Sequence, residues 1–376
     1  MSARAEAAKR RARLASHRLT ARADTIADAA RWMLAVQAQE FWGGRWALAL
    51  RTRGAGRHRT PGLSAVDRAF DDGTLVRAWT QRGTIHIVPA EDVEWMLGLT
   101  ADRQLAQAAG RHRQLGIDDE AVRAAENAVR IALRGGARLT RAELFAVFES
   151  AGESAAGQRG VHLLQSLVLR RVIALGPTID RGPGLPRREQ YVVLAEDWLP
   201  SAPAPADPLA EFFVRYAEGH GPASAEDFAW WSGLALGQAR RARDAAQGDP
   251  RIVEIGDGEY SSAAPTAATR ASGVIALPSF DEYYISYADR GLVASEAARS
   301  AIGPGVNGMV RPTLIAAGSA AGAAAGRAVG TWTHSLAVGR HSEHPVGALF
   351  DTSEEGGVDE EAVAVALADY RSFLDR

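Results

Sequence analysis

The sequence predicts an α+β fold made of three tandem winged helix-turn-helix modules and a small C-terminal β-barrel. Two observations predict it. One order of patterns, three helices and then a two-stranded hairpin, occurs three times along the chain, and this is the order of a winged helix. After Gly273 the pattern changes to short strands bounded by turns, which is typical of a small barrel or sheet. With 376 residues, the chain is long enough to bury several cores.

The first module is predicted over residues 15–100. Apolar residues at helical spacing, and Pro61 ahead of the third segment, predict helices over 20–41, 41–51 and 63–72. Strands over 74–81 and 84–88 flank Arg82-Gly83 and so predict a hairpin. Ahead of the module, the Arg/Ala-rich residues 3–13 are expected to form a frayed helical arm.

The same order recurs twice. A second module is predicted over residues 115–200 and a third over 208–262, separated by an Ala/Pro-rich linker at 201–208. Ser224 is the expected N-cap of a helix in the third module. The second module has helices over 118–134, 140–150 and 157–171 and strands over 173–176 and 189–194; the third has helices over 208–218, 224–231 and 235–246 and a wing within 252–260.

The C-terminal part is predicted as a β-barrel module over residues 270–350. Its expected strands lie at 274–277, 283–287, 310–316 and 328–333 and near Leu336. Residues 357–376 are expected to close the chain as an acidic amphipathic helix.

Composition excludes several classes of protein. The chain has no cysteine, so disulfides and thiolate metal sites are excluded, and a reducing compartment fits. Residues 1–22 show no secretory signal, and no apolar run is long enough to span a bilayer. We therefore expect a cytoplasmic protein, associated with the nucleoid if DNA is its partner.

The charge is distributed unevenly although the net charge is only −2. Residues 1–80 carry 15 Lys/Arg and 7 Asp/Glu, whereas residues 341–376 carry 2 Arg and 9 acids. This asymmetry is expected if one end meets phosphate and the other stays in solvent. All cations except Lys9 are arginine, which fits either GC-rich coding or selection for bidentate phosphate contacts.

A Gly-punctuated basic loop at residues 51–59 has five cations in nine positions, counting His58. It is either a solvated loop or a grip on phosphate, and the charge density favours the grip. His86 lies in a wing strand and is either a satisfied structural histidine or a DNA contact. The residues expected to contact DNA are Arg45, Arg51, Arg53, Arg57, Arg59, Arg82 and His86.

Two neutral amides, Gln37 and Gln39, interrupt an apolar stretch. Residues two apart on a helix lie on different faces, so these amides can converge only where the helix ends and the chain turns. The following Gly43-Gly44 fits such a turn. Because buried amides need partners, the pair is either a structural hydrogen-bond node or a site for a polar ligand.

Other side chains near these features have simpler interpretations. Glu40, the carboxylate nearest the pair, is a cryptic base or, as we favour, a surface residue at a helix end. Asp281 and Glu282 are expected to pair with arginines or to cap turns. The His341–His344 stretch lacks a third ligand, so we reject it as a metal site. The tryptophans expected in cores rather than as base-stacking platforms are Trp79, Trp230 and Trp231.

Seven motifs in order resemble the winged-helix DNA glycosylases of the AlkZ/YcaQ type, over roughly residues 15–350. These motifs are Val36-Gln37-Ala38-Gln39, Arg82-Gly83-Thr84-Ile85-His86-Ile87-Val88, Leu163-Leu164-Gln165, Glu226-Asp227-Phe228-Ala229-Trp230-Trp231-Ser232-Gly233, Leu277-Pro278-Ser279-Phe280-Asp281-Glu282-Tyr283, Asn307-Gly308-Met309-Val310-Arg311-Pro312 and Gly330-Thr331-Trp332. The resemblance implies that Gln37 and Gln39 are the catalytic pair of an enzyme that removes bulky N7-alkylguanine adducts and unhooks interstrand crosslinks. It also implies three winged helices and a barrel, duplex DNA as partner, and no cofactor; we expect a monomer.

The residue chemistry limits what such an enzyme can cleave. An amide has no pKa suited to general base catalysis, so two glutamines suffice only for a leaving group that is already cationic. No lysine lies near the pair to form a Schiff base, so we expect hydrolysis without strand cleavage. The alternative is a non-catalytic winged-helix DNA-binding protein such as a transcriptional regulator, which would have no need of two glutamines at that position.

Overall fold

The structure, a computed structural model, contains both helices and strands over the residues it describes. It describes residues 2–56, 58–180, 182, 187–264, 273–305, 307–318, 324–333, 336–337, 340–341, 345–350, 358 and 360–376. The helices are α1 (Ala3–Ser16), α2 (Ile26–Met33), α3 (Phe41–Leu50), α4 (Leu63–Asp71), α5 (Val93–Gln114), α6 (Asp119–Ala132), α7 (Arg141–Ser150), α8 (Arg159–Leu169), α9 (Ala195–Trp198), α10 (Pro208–His220), α11 (Ala225–Ser232), α12 (Leu236–Ala245), α13 (Glu282–Ile285), α14 (Glu296–Ile302) and α15 (Glu360–Leu374). The strands are β1 (Val36–Gln37), β2 (Leu75–Gln81), β3 (Thr84–Pro89), β4 (Ile173–Thr178), β5 (Gln190–Leu194), β6 (Ile252–Gly256), β7 (Glu259–Ser262), β8 (Gly273–Leu277), β9 (Thr313–Gly318), β10 (Ala328–Thr333), β11 (Leu336–Ala337), β12 (Arg340–His341) and β13 (Val346–Leu349).

The mixed helix and sheet content that the sequence predicts is confirmed, as are the three hairpins. Strands β2 and β3, β4 and β5, and β6 and β7 pair antiparallel within each hairpin. The first two hairpins are not separate: they join into one five-stranded sheet with the order β1-β3-β2-β4-β5. In that sheet Arg77 of β2 faces Leu175 of β4. Two regions predicted as separate modules therefore share a sheet.

The helix predicted over residues 20–41 forms only in its middle, at Ile26–Met33, and is wrong at both ends. Helix α2 ends at Met33, and Leu34 adopts a positive φ of 60°. The chain then extends as the short edge strand β1, whose Val36 and Gln37 pair with Ile87 and His86 of β3. A strand partner some fifty residues along the chain overrides the helical spacing, since local propensity is a weak prior against tertiary pairing.

The N-terminal arm is not frayed. Helix α1 packs against the rest of the protein, and the side chains of Arg10 and Arg13 are buried. Nε of Arg10 donates to the carbonyl of Ala325 over 2.9 Å, and Nε of Arg13 donates to the carbonyl of Pro222 over 3.0 Å. Two buried arginines thus hold the arm to the protein.

The C-terminal strands form an open sheet among the residues that the structure describes. Its order is β13-β10-β9-β8, and no closed sheet is seen, so a barrel is not confirmed. The strand predicted at 283–287 is wrong: α13 occupies that position, and the carboxylate of Asp281 accepts from the backbone N–H of Tyr283 at its start. The 22-residue helix α5, which the sequence analysis does not assign, covers β2.

The described residues form two hydrophobic cores. One contains residues of helices α5 to α8 and α10 to α12, packed on one face of the five-stranded sheet. In the other, helices α2, α3 and α4 pack against the C-terminal sheet and α15. The ring centroids of Tyr370 in α15 and Trp46 in α3, for example, lie 5.3 Å apart. Within the part of the chain that is described, no helix is long and apolar enough to cross a membrane.

Candidate active site

Gln37 lies on an edge strand rather than at a helix end. Its backbone N–H donates to Oε1 of Glu282 over 2.8 Å, and its side chain is only 8% exposed. Gln39 follows at a bend and is exposed. Strand β1 ends at Gln37, so the bend that follows it sets the direction of the Gln39 side chain. The predicted helix end is therefore wrong as the setting of the pair, and the convergence of the two amides stays a prediction.

The two glycines after the motif are not a turn. Gly43 and Gly44 lie inside α3, where Gly44 packs against Ala38 and the side chain of Ile87. The missing side chain at Gly44 therefore permits close approach of α3 to the motif, and the turn predicted there is wrong.

Arg82 closes over Gln37 from the tip of the β2–β3 hairpin. Arg82 and Gly83 have φ of 54° and 70°, as a two-residue hairpin turn with two left-handed positions requires. Nη2 of Arg82 donates to Oε1 of Gln37 over 3.3 Å and lies 3.5 Å from Nε2 of His86. Burial lowers the pKa of this guanidinium, and the nearby carboxylate of Glu282 opposes that effect.

Glu282 is a buried carboxylate that joins three elements at the site. In addition to the N–H of Gln37, it accepts hydrogen bonds from Nε1 of Trp231 over 3.0 Å and from Oγ of Ser286 over 2.6 Å. Burial raises the pKa of Glu282, while Arg82 opposes the rise. The sequence predicts that Glu282 pairs with an arginine or caps a turn. The hydrogen bond from the backbone N–H of Gln37 to Glu282 could not be predicted, because no local sequence pattern links residues 245 positions apart.

His86 is buried and lies opposite Gln37 in the sheet. Burial, followed by the charge of Arg82, lowers the pKa of His86 well below its ordinary value, so the ring is neutral. We expected a possible DNA contact here, and burial corrects that expectation: His86 instead packs beneath Arg82.

Two arginines expected at DNA are also corrected. Arg45 and Arg51 are 1% and 0% exposed. Arg45 pairs with Asp67 over 2.7 Å, and Arg51 forms two hydrogen bonds to Asp281 over 2.8 and 2.9 Å. These pairs are internal, so neither guanidinium can reach phosphate. The pairing of Asp281 with an arginine is the role that the sequence predicted for it.

The basic loop keeps some exposed charge. Arg53 is exposed beside Asp24, with 3.2 Å between Nη1 and Oδ1. Arg59 is exposed beside Asp369 of α15, with 3.4 Å between Nη1 and Oδ2. The acidic C-terminal helix is therefore not wholly in solvent, since one of its carboxylates lies against the basic loop. Arg57 lies outside the described residues.

Glu40 occupies the N-cap position of α3. Its Oε2 accepts from Nε1 of Trp42 over 2.9 Å and from Oγ of Ser279 over 2.5 Å. The carboxylate is therefore held at the start of α3 by two hydrogen bonds, in a half-buried position.

The paired tryptophans of α11 have different environments. Trp231 is buried, as predicted, whereas Trp230 is 46% exposed, so its assignment to a core is wrong. The guanidinium carbon of Arg290 lies 5.4 Å from the Trp230 ring centroid. Adjacent helical residues point about 100° apart, so both cannot enter one core. Trp79 is partly buried against the first core.

Within the described ranges, no group of three or more histidine and acidic side chains is placed to hold a metal ion. Residues 342–344 of the rejected histidine stretch lie outside those ranges.

Comparisons with known proteins identify relatives. A family model described as "DNA glycosylase AlkZ-like" matches residues 30–373. Among solved structures, Streptomyces sahachiroi DNA glycosylase AlkZ superposes with a TM-score of 0.73 and 23% identity, covering 98% of this chain and 97% of that chain. At this identity the superposition shows a common fold. No curated protein sequence matches the chain.

Proposed function

Because the chain belongs to the AlkZ-like DNA glycosylase family, we propose that it hydrolyses the N-glycosidic bond of cationic N7-alkylguanine in duplex DNA, with Gln37 and Gln39 as its catalytic pair. Family membership makes the chain a DNA glycosylase and DNA its partner. A non-catalytic regulator of the same fold is therefore the weaker alternative.

The chemistry of two amides favours a cationic lesion. Cleavage of an N-glycosidic bond passes through an oxocarbenium-like sugar, as in glycoside hydrolysis. An amide cannot act as a general base at neutral pH, but its carbonyl oxygen can face developing positive charge and orient water. Alkylation at N7 makes the guanine cationic. When the C1′–N9 bond breaks, its electrons neutralise the base, water adds to C1′, and the surplus proton passes to solvent.

The orientation of Gln37 is the observation that carries this proposal. A guanidinium has donors but no acceptor, so only the carbonyl oxygen of Gln37 can face Arg82. The NH₂ end of the amide is therefore turned away from Arg82, where it can donate to the substrate. Gln39 is exposed and has no hydrogen-bond partner among the described residues, so its carbonyl oxygen is free to orient water. We assign donation to Gln37 and water orientation to Gln39.

The enzyme is proposed to be monofunctional. The chain contains one lysine, Lys9, and its ammonium forms an ion pair with Glu259. No Schiff base can therefore form at the amide pair, and the product is an intact strand with an abasic site.

Interstrand crosslinks are proposed as a further substrate. A crosslinked guanine is tied to both strands and cannot be flipped into an enclosed pocket. The exposure of Gln39 supports action on a base that stays near the duplex. The exposed Arg53 and Arg59, together with Arg57, are proposed to contact phosphates. We propose that the protein acts as a monomer at the nucleoid.

The finer architecture is also a proposal. The recurrent order of three helices and a hairpin supports winged helices at residues 15–100, 115–200 and 208–262. A barrel-like module at 270–350 and a terminal helix at 357–376 complete the proposed division.

The test is excision of a labelled N7-methylguanine from duplex DNA, together with a nitrogen-mustard crosslink. Alkaline cleavage at the abasic site reports excision. The double variant Gln37→Ala/Gln39→Ala should lose excision of both lesions while keeping its thermal unfolding midpoint. Gln107→Ala, which removes an exposed amide from α5, is the matched control and should keep full activity.

Each other outcome has a definite meaning. Excision that survives in the double variant would show that the catalytic centre lies elsewhere, with Glu40 as the nearest carboxylate in the sequence. Tight binding of both duplexes without excision would contradict the proposed substrate.

A further inference from the structure

Arg77 is a half-buried cation to which no carboxylate is paired among the described residues. It lies on β2, and its guanidinium carbon is 4.6 Å from the ring centroid of Phe41. Its Nε is buried and has no hydrogen-bond partner in the described part of the chain. In the sheet it lies between Ile87 and Leu175, which offer no polar atom from their side chains.

The charges around Arg77 have the same sign as its own. The two groups that act on it electrostatically are Arg45 and Arg141. The guanidinium carbon of Arg45 lies 4.2 Å from the centroid of the same Phe41 ring, and the charge of Arg45 is compensated by Asp67. Arg141, at the start of α7, is exposed and contacts the ring of Phe145. Burial, followed by these two cations, lowers the pKa of Arg77 to about 9, so it remains charged at neutral pH.

An uncompensated charge in such a position costs stability. Buried charges in proteins are normally paired, as Arg45 is with Asp67 and Arg51 with Asp281. Arg77 departs from the rule at a place that is partly open to solvent. A cation beside an aromatic ring, with no hydrogen-bond partner among the described residues, is suited to receive an anion from outside.

We propose that Arg77 and Arg141 form a binding site for a backbone phosphate of the DNA next to the lesion. The guanidinium of Arg77 lies against Phe41, which follows Gln39 by two residues, and this puts it close to the exposed end of the amide motif. The side chain of Arg77 is on the sheet face opposite to that of Gln37, because Arg77 pairs with Ile87 and Gln37 with His86. The planar guanidinium matches two phosphate oxygens, and Arg141 adds a second positive charge. This inference rests on the proposed function, since it needs duplex DNA as the ligand.

The test is Arg77→Met, which keeps the length and the packing but removes the charge. Affinity for an undamaged duplex, measured by fluorescence anisotropy at several KCl concentrations, should fall about tenfold, and the slope of log K against log salt should become shallower by about one. The thermal unfolding midpoint should stay unchanged or rise, because an unpaired charge has been removed. Arg141→Gln should weaken binding in the same sense.

Arg45→Met is the matched control. It removes a neighbouring buried arginine that has a carboxylate partner, so its unfolding midpoint should fall while the salt slope stays at the wild-type value. Inorganic phosphate is a second probe, and it should raise the unfolding midpoint of the wild type more than that of Arg77→Met.

Two results would overturn the proposal. One is an unchanged DNA affinity and salt slope in Arg77→Met. If inorganic phosphate still raises the unfolding midpoint of the wild type alone, the site takes free phosphate and not DNA. The other is a parallel fall of affinity and unfolding midpoint, as a structural residue would show. If the wild type excises the lesion and Arg77→Met binds DNA normally, this inference fails while the proposed function stands.

Discussion

Gly44 of α3 lies directly against Ala38, the residue between the two glutamines. A Cβ on Gly44 would be 2.7 Å from Cβ of Ala38 and 2.8 Å from Cδ1 of Ile87. The methyl group of Ala38 is fixed to the edge strand, so it cannot rotate away. The neighbouring Gly43 is different: a Cβ there would meet its nearest atom, Cβ of Pro278, at 3.4 Å.

Gly44→Ala should therefore push the amide motif away from α3. We expect a loss of stability of about 1–3 kcal/mol from overpacking, together with reduced excision. Gly43→Ala, one residue away on the same helix, should be neutral or stabilise by up to about 1 kcal/mol because alanine favours the helix. Urea unfolding of both variants checks the difference. Equal stabilities would show that the contact between Gly44 and Ala38 does not constrain the motif.

Replacing Arg82 should release the amide of Gln37. In Arg82→Gln the side chain at 82 can donate or accept, so Gln37 is free to flip, and we expect single-turnover excision to fall by about 10²-fold, as when one oriented donor is lost. Arg82→Lys keeps a donor and should retain more activity. Rates at saturating enzyme and the dissociation constant for the lesion duplex should both be measured. A loss confined to the dissociation constant would mean that Arg82 acts only as a DNA contact.

Gln39→Asp should widen the range of lesions. A carboxylate can activate water and stabilise an oxocarbenium-like sugar more strongly than an amide, so a less activated leaving group becomes sufficient. We expect the variant to excise neutral damaged bases, such as hypoxanthine, that the wild type leaves intact. Both proteins should be assayed on matched duplexes with N7-methylguanine and with hypoxanthine. Hypoxanthine release by the wild type at a comparable rate would contradict the restriction to cationic lesions.

Stability should fall on the acid side of neutrality. His17, His86 and His220 are buried, and burial is the largest cause that lowers the pKa of each, for His220 to about 3. An unfolded histidine titrates near 6.5, so below that pH the unfolded chain binds protons that the folded protein does not. The unfolding free energy should be constant above about pH 6.5 and then fall by about 1.4 kcal/mol per pH unit for each histidine.

Urea unfolding between pH 5 and pH 7 measures this slope. His220→Phe removes one of these groups, and the slope in that range should become smaller by up to about 1.4 kcal/mol per pH unit. A slope that is unchanged in His220→Phe would show that this ring is already protonated in the folded protein.

Local patterns in the sequence predicted most of the helices and all three hairpins. Ser224 is the N-cap of α11, as its position before an apolar helical segment indicates. The amide pair Gln37/Gln39 was also visible, because two polar residues stand out in an apolar stretch. Such features depend on residues within a few positions of each other, and the chain shows them wherever the neighbours agree.

The tertiary structure decided what those residues contact. Gln37 is on a strand only because β3 is available to pair with it, and its backbone is held by Glu282 from 245 residues away. Arg51 faces Asp281 instead of DNA, and Arg77 has no carboxylate paired with it among the described residues. Both outcomes depend on which side chains other segments bring near. Periodicity along the chain encodes which face of an element is apolar. The partner of a buried charge is set by long-range packing, which no local pattern records.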